Sequence, residues 1–382
     1  VEERGKEPNY FDIEAKERGV DEFRYFGEWR HEYSQSHLPI REQKTAEGHS
    51  VRAMYFFSAV ADLAQETGDK ELLKVCETLW NNTINRRMYI TGGIGSQEYG
   101  EGFTIDYDLP SDRAYSETCA AIGLFFFAQR MLQINPDRKY ADIMERALYN
   151  GILSGMSLEG DRFFYVNPLE VSPKVAEFRY DHRHVESTRQ GWFSCACCPP
   201  NLARLLTSIN QYIYGQSNRD FYVHLFADSE VEFKVDETKV TLRQKTQYPW
   251  DGKVKIELSL EEKTEFALHV RIPTWCKQSQ VQVNGKKVKD TESIQSNGYV
   301  TIAQKWQDGD VVELELPMPV EVVHAHPKVR EVAGRGALQR GPVVYCLEEV
   351  DNGPDLRALV LAKDLGFQID VDAELHVPAI TA

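Results

Sequence analysis

The sequence predicts an α+β multidomain chain, helical through its first 215 or so residues and β-rich after them. Three observations predict it. Apolar residues recur three and four apart in the first part, the spacing of one buried helix face. After Gly215 the period shortens to two, and the alternating runs are separated by turn residues. A length of 382 residues that are 42% hydrophobic and 27% charged gives two to three soluble globular domains with sizeable cores.

In chain order, a weak helical pattern spans Asn9 to Gly19, and the first strong helix opens at Glu47-Gly48-His49-Ser50-Val51 and continues through Phe57. Leu72, Leu73, Cys76 and Leu79 carry the next one. Further helices are expected near 115–133, 138–155 and 199–214, the last because Pro199 and Pro200 suit a first turn that needs no N–H donor. Phe163 to Pro168 reads as a hairpin between them. The strands are expected at Phe221–Phe226, Val240–Leu242, Val254–Leu260, Phe266–Ile272, Val281–Val283 and Val311–Leu316, with Asn284-Gly285 and Asp308-Gly309 as turns. Six such runs indicate a β-sandwich. The expected domains are 1–215, 216–318 and 319–382, the last a further β-rich piece or an extension of the sandwich, because the alternation weakens after Pro319.

A net charge of −15 repels phosphate backbones, so nucleic acid is excluded as a partner and a neutral, hydroxyl-rich ligand fits better. No apolar run approaches the eighteen or so residues of a membrane span. Seven cysteines, an odd count spread over a long chain, do not form the dense even pattern of a disulfide scaffold, and cytoplasm is the expected compartment. The chain starts at Val1, so an upstream part is expected to be missing.

The densest chemistry lies at Cys195-Ala196-Cys197-Cys198-Pro199-Pro200-Asn201. Adjacent cysteines form only a strained disulfide, whereas a soft divalent cation, most plausibly zinc, takes two such thiolates comfortably. Upstream, Ser116-Glu117-Thr118-Cys119 offers a carboxylate and a thiol two apart, which can share a metal only near a helix start, with Ser116 as the cap. Glu117, Cys119, Cys197 and Cys198 thus form a candidate zinc set of one oxygen and three sulfurs; small buried residues without chemistry are the alternative. Glu101, between two glycines, is a candidate general acid if its pocket raises its pKa, or else a solvated loop residue. His49 is either a hydroxyl-binding group or a helix cap, and Asp181-His182-Arg183-His184 reads as a polar surface loop.

The ordered set Glu47 to Tyr55, Thr91-Gly92-Gly93 with Gly100-Glu101, Ser116 to Cys119, Cys197 to Asn201 and Arg271-Ile272-Pro273-Thr274-Trp275-Cys276 resembles glycoside hydrolase family 127. The resemblance implies a retaining β-L-arabinofuranosidase with an (α/α)6 toroid-type catalytic domain and appended β-sandwich domains. It implies zinc on Glu117, Cys119, Cys197 and Cys198, a cysteine nucleophile at Cys197, an acid/base at Glu101, and substrate contacts from His49 and Tyr165. A toroid needs twelve helices and only five or six precede Gly215, so the later half of the barrel is expected here, with the first half absent or supplied as another chain. Sandwich edges would allow a homodimer. The expected partner is a small carbohydrate, an L-arabinofuranoside. The alternatives are another rare plant-derived furanoside, a zinc-stabilised carbohydrate-binding protein without turnover, and a metal-free thiol redox sensor built on Cys195 and its neighbours.

Overall fold

The computed structural model describes residues 1–195, 197–288, 295–362, 366–373 and 375–381, and the backbone alone of Glu28. Its contacts divide the chain into two compact units, Val1–Ile209 with Ala325–Gly334, and Asn210–His324 with Arg335–Ala382.

The first unit contains α1 (Tyr10–Arg18), α2 (Arg30–Tyr33), α3 (Ser50–Thr67), α4 (Lys70–Arg86), α5 (Thr118–Ile134), α6 (Arg138–Ala147), α7 (Pro173–Phe178) and α8 (Cys198–Thr207). Helix α1 buries no residue, which explains its weak sequence pattern; Asn9 caps it and Gly19 ends it in the left-handed region. Helix α5 is the opposite case. Fourteen of its seventeen residues are buried, so it is apolar all round and forms the axis of the unit. Helices α3 and α6 pack on it, and α4 packs on α3. Phe57 and Trp80 both lie 5.7 Å from the Phe127 ring, and Trp80 meets Tyr140 edge-on at 4.8 Å. The most buried helix of the unit therefore begins at the Glu117–Cys119 step.

Several expectations are corrected here. The helix expected from 115 starts at Thr118, because Ser116 is left-handed (φ 41°) and its N–H donates to Gly95 O at 2.8 Å. Glu117, not Ser116, is its N-cap. The helix expected over 138–155 ends at Ala147 and continues as a wide π turn (Leu148–Ile152) and a 3₁₀ turn (Leu153–Gly155). Gly151 lies within that π turn, where a Cβ would come 3.2 Å from Thr91 O and the Ala121 methyl. The helix expected over 199–214 stops at Thr207, and a short turn of helix, α9 (Asn210–Ile213), leads directly into the first strand at Tyr214. Residues 163–168 do not form a hairpin; Phe163 bridges Met156 and Gln190, while Val166 bridges Glu117.

In the second unit the strands are β1 (Tyr214–Ser217), β2 (Asp220–Val223), β3 (Ser229–Val235), β4 (Thr238–Thr246), β5 (Lys253–Leu260), β6 (Thr264–Arg271), β7 (Gln280–Val283), β8 (Lys286–Lys287), β9 (Tyr299–Trp306), β10 (Val311–Glu315), β11 (Val320–Val323), β12 (Ala337–Arg340), β13 (Val343–Val344), β14 (Gln368–Val371) and β15 (Pro378–Thr381). They build a four-stranded sheet, β1-β2-β6-β9, a six-stranded sheet, β3-β4-β5-β10-β7-β8, and smaller sheets of three and two strands. The β2–β6 pair is parallel. Burial alternates along β4, β5 and β10, as a half-buried antiparallel sheet requires. Strands β3 and β9 were not among the expected strands, although β3 alternates apolar and charged residues just as β5 does.

Candidate active site

The site is built where three loops converge on the start of α5. His49 precedes α3, and its Nδ1 accepts the backbone N–H groups of Val51 (3.1 Å) and Arg52 (3.4 Å). Capping therefore fixes the tautomer: Nδ1 is the acceptor, so Nε2 carries the proton and donates to Glu101 Oε2 at 2.9 Å. The cap and hydroxyl-binding readings of His49 are thus compatible, one for each ring nitrogen.

Glu101 sits in a turn that only its glycine neighbours permit. Gly100 (φ 64°) and Glu101 itself (φ 51°) are both left-handed. A Cβ at Gly100 would penetrate the Trp29 ring, and one at Gly102 would lie 2.7 Å from both Gly48 O and Trp29 Cη2. Backbone held in this sparsely populated region costs energy and is retained where a side chain has to be aimed. Gly102 pairs with His49, and Phe103 N–H donates to Gly48 O at 2.9 Å, so the carboxylate loop and the histidine cap are one assembly.

Glu117, Cys119, Cys197 and Cys198 place one ligand atom each within 4.8 Å of one another. Cys119 and Cys198 sulfurs are 3.7 Å apart, those of Cys197 and Cys198 3.8 Å, and Cys197 Sγ is 3.3 Å from Glu117 Oε1. Tetrahedral zinc with Zn–S bonds of about 2.3 Å would separate its sulfurs by about 3.8 Å, so the set fits that ion. The Oε2 atom of Glu117 is buried without a hydrogen-bond partner, a second sign of a place shaped for a cation. With protons alone to share, the cluster cannot ionise fully. Burial and the charges of Glu101 and Cys197 push the Glu117 carboxyl up to about 10, and the thiols of Cys119 and Cys198 are raised as well. Cys197 is driven the other way, well below an ordinary thiol, by hydrogen bonds from Cys119 and Cys198 and then from Tyr165. Hydrogen bonding within the trio thus favours the ionised form at Cys197 over Cys119 and Cys198.

Exposure divides these residues. Glu117, Cys119 and Cys198 are at most 2% exposed, whereas Cys197 is half-buried and the Glu101 side chain is 34% exposed. The Tyr165 hydroxyl lies 3.1 Å from Cys197 Sγ. Tyr165 is held there because its carbonyl accepts the Thr118 N–H at 3.0 Å and its neighbour Val166 bridges Glu117.

The pocket does not raise the Glu101 pKa as a resting general acid would require. Burial pushes it up, but the hydrogen bonds from His49 and the Tyr115 hydroxyl outweigh that and leave it below the usual carboxyl value. Tyr115 escaped the sequence reading; nothing but its position beside Ser116 signalled it. Trp29 was missed too, for its role is visible only in what it touches. The expected surface loop at His182 and His184 is also corrected: His182 is 2% exposed, with Nδ1 2.9 Å from Asp181 and Nε2 3.2 Å from Asp112, and His184 Nε2 donates to Arg113 O at 3.2 Å. Both imidazoles are turned inward by these acceptors, which the Asp-His-Arg-His string does not reveal. Cys195 is exposed and outside the cluster, and Ala196 lies outside the described residues.

Comparison with known proteins gives the class first. Residues 2–211 match the description "Beta-L-arabinofuranosidase, GH127 catalytic domain", residues 220–318 the GH127 middle domain, and residues 320–380 the glycoside hydrolase family 127 C-terminal domain. The chain belongs to glycoside hydrolase family 127. It is 40% identical over 365 residues to the non-reducing end β-L-arabinofuranosidase of Bifidobacterium longum subsp. longum, covering 93% of this chain and 54% of that protein. A crystal structure of a GH127 β-L-arabinofuranosidase from Geobacillus stearothermophilus T6 superposes with a TM-score of 0.95 at 52% identity, covering 99% of this chain and 59% of the other. Another GH127 β-arabinofuranosidase gives 0.84 at 37% identity, over 94% and 60%. The chain thus spans a little over half the length of these relatives.

Proposed function

We propose that this chain carries the active site of a retaining glycoside hydrolase that releases terminal β-L-arabinofuranosyl residues, with Cys197 as nucleophile and Glu101 as acid/base. The observation that carries the reading is the division by exposure: three buried ligands hold the cluster, and the fourth, Cys197, is open to a substrate beside an accessible carboxyl. A zinc ion held by Glu117, Cys119, Cys197 and Cys198 would supply positive charge that keeps the cysteine sulfurs deprotonated. Cys197 Sγ attacks the anomeric carbon as Glu101 gives its proton to the departing oxygen; the S–C bond forms while the C–O bond breaks. Glu101, now a carboxylate, takes a proton from water, whose oxygen displaces the sulfur and returns the electron pair to it. Two displacements at one carbon retain its configuration. His49 and Tyr165 are proposed to orient the sugar and the two reacting groups.

The lowered pKa of Glu101 favours the second, basic step, and the first needs it protonated. A sugar that draws the His49 N–H to one of its own hydroxyls would relax that depression. The helical unit is read as part of a toroid-type catalytic domain (residues 1–215), followed by a sandwich (216–318) and a further β-rich piece (319–382). Seven free cysteines suit a reducing compartment, cytoplasm.

Hydrolysis of p-nitrophenyl β-L-arabinofuranoside, with zinc measured on the same sample, tests the reading. Turnover with about one zinc per chain, lost in Cys197→Ser and Glu101→Ala, supports it; zinc with sugar binding but no turnover points to a binding protein, and absence of both removes the four-ligand site.

A further inference from the structure

Asn201 closes the Cys-Cys-Pro-Pro-Asn string, and the chemistry described so far gives it no part. It lies near the start of α8, where its backbone N–H donates to Cys197 O at 3.2 Å. Four residues after Cys197, its side chain stands one turn along the same helix face. The neighbours of the amide decide which of its ends meets the cluster. One terminal atom lies 2.6 Å from Arg204 Nη2 and 3.1 Å from the Tyr55 hydroxyl. A guanidinium only donates, so that atom is the carbonyl oxygen, Oδ1. Arg204 also donates to the Tyr55 oxygen, which leaves the phenolic proton for Oδ1. With its oxygen held by two donors, the amide has its N–H groups to offer, and the Asn201 side chain hydrogen-bonds the Cys119 sulfur.

The partners of Asn201 are themselves fixed. Tyr55, on α3, packs against α5: a Cβ at Gly123, four residues after Cys119, would come 3.8 Å from Tyr55 Cε2. The Arg204 guanidinium lies over the Tyr55 and Phe126 rings, 5.4 and 4.9 Å from their centres. The network therefore joins α3, α5 and α8 beside Cys119. A thiolate accepts an N–H more strongly than a thiol does, and groups bonded to a metal's ligands orient them and set how tightly the ion is held. We propose that Asn201 is a positioning residue of the metal site: it donates an N–H to Cys119 Sγ, in an orientation set by Tyr55 and Arg204, and so secures Cys119 as a ligand that stays on the ion while Cys197 reacts. This rests on the four-ligand site of the proposed function.

Zinc affinity of the full chain, measured by competition with a chromophoric chelator while the thiols are kept reduced, tests the proposal. Asn201→Leu keeps the size of the side chain without its donor, and Tyr55→Phe removes one of the two groups that hold Oδ1. Asn201→Leu should bind zinc about 10- to 100-fold more weakly, and Tyr55→Phe should lose less in the same direction. Cobalt(II) in place of zinc adds a readout that packing alone does not move. Loss of the hydrogen bond raises the energy of the sulfur electrons, so the sulfur-to-cobalt charge-transfer band should move to longer wavelength in Asn201→Leu. Unchanged affinity overturns the proposal, as does weaker binding with the band in place, which would mean that Asn201 only supports α8. If circular dichroism shows that Asn201→Leu does not fold, Tyr55→Phe decides, and parent-like affinity and band position overturn the proposal. A parent chain that takes up neither metal removes the four-ligand site itself, whereas a parent that binds and variants that match it remove the role of Asn201 alone.

Discussion

His224 in the β unit and Glu117 in the helical unit are both almost wholly buried, yet they are accommodated in opposite ways. His224 is satisfied locally: Nδ1 lies 2.7 Å from the Tyr299 hydroxyl, its ring stacks on Tyr222, and its carbonyl accepts Arg271 Nε at 2.5 Å. His269, on the same sheet, has Asp220 on one nitrogen (2.9 Å) and Thr301 on the other (2.8 Å). Glu117 has one oxygen without a partner and sits among three thiols whose protons it has to share. Burial alone does not mark function. A buried polar group whose partners come from its own sheet makes the fold specific, whereas one left unsatisfied at the start of a rigid helix marks a place for something else.

Chemistry should break this symmetry most. Cys197→Ser and Glu101→Ala are expected to lower kcat on the aryl arabinofuranoside by about a thousandfold or more, with circular dichroism unchanged. Replacing His224, by contrast, should leave kcat within about twofold while costing stability. If His224→Gln abolishes turnover with the fold intact, the division between the units fails.

Metal removal sharpens the contrast next. Dialysis against a chelator should lower the melting temperature of the helical unit by about 5 °C or more, because a bound ion stabilises only the folded site. The transition of the β unit should stay in place. Calorimetry distinguishes the two, and equal shifts would show that the cluster does not act locally.

Acid should act on the other unit. Burial, then the charges of Arg271 and His269, push the His224 pKa down to about 3. The unfolded chain, with an ordinary value of about 6.5, takes up that proton first. Stability from neutral His224 is therefore complete above about pH 6.5 and is lost as pH falls toward about 3, by as much as about 5 kcal/mol. Urea midpoints of the β unit against pH would show this slope in the parent and a flatter one in His224→Gln.

The smallest effect is expected at Gly102→Ala. Its Cβ would meet Gly48 O and Trp29 at 2.7 Å, so the loop has to shift by a few tenths of an ångström. A loss of about 1–2 kcal/mol with a tenfold or larger fall in kcat would show that the loop aims Glu101; unchanged kcat would show that it does not.

Much of the site was legible from composition and order. Three thiols in four positions and the Glu117–Cys119 pair pointed to metal or redox chemistry, and the structure brings a ligand atom from each of Glu117, Cys119, Cys197 and Cys198 within 4.8 Å of the others. The glycines around Glu101 announced a tight loop, and His49 stood where a cap belongs. Helix α5 was legible as a segment, since an apolar run of that length has to be buried. Its first residue was not, because Ser116 is held in the left-handed region by Gly95 and Asn167, which lie far from it in sequence. The Phe163–Pro168 segment misled for the same reason: its alternation is real, but its partners are Gln190 and Glu117 rather than itself.

The order of a helical and a β-rich part, the residue types of the candidate cluster and the loops that carry them were all readable in the chain alone, since these follow from local periodicity and residue chemistry. Tertiary structure alone decided which of three cysteines stays open, that the His49 proton points at Glu101, that Tyr115 and Trp29 belong to the site, and that His182 is buried. Each of these is a relation between residues distant in the chain, and local propensity carries no information about the partner on the far side of a fold.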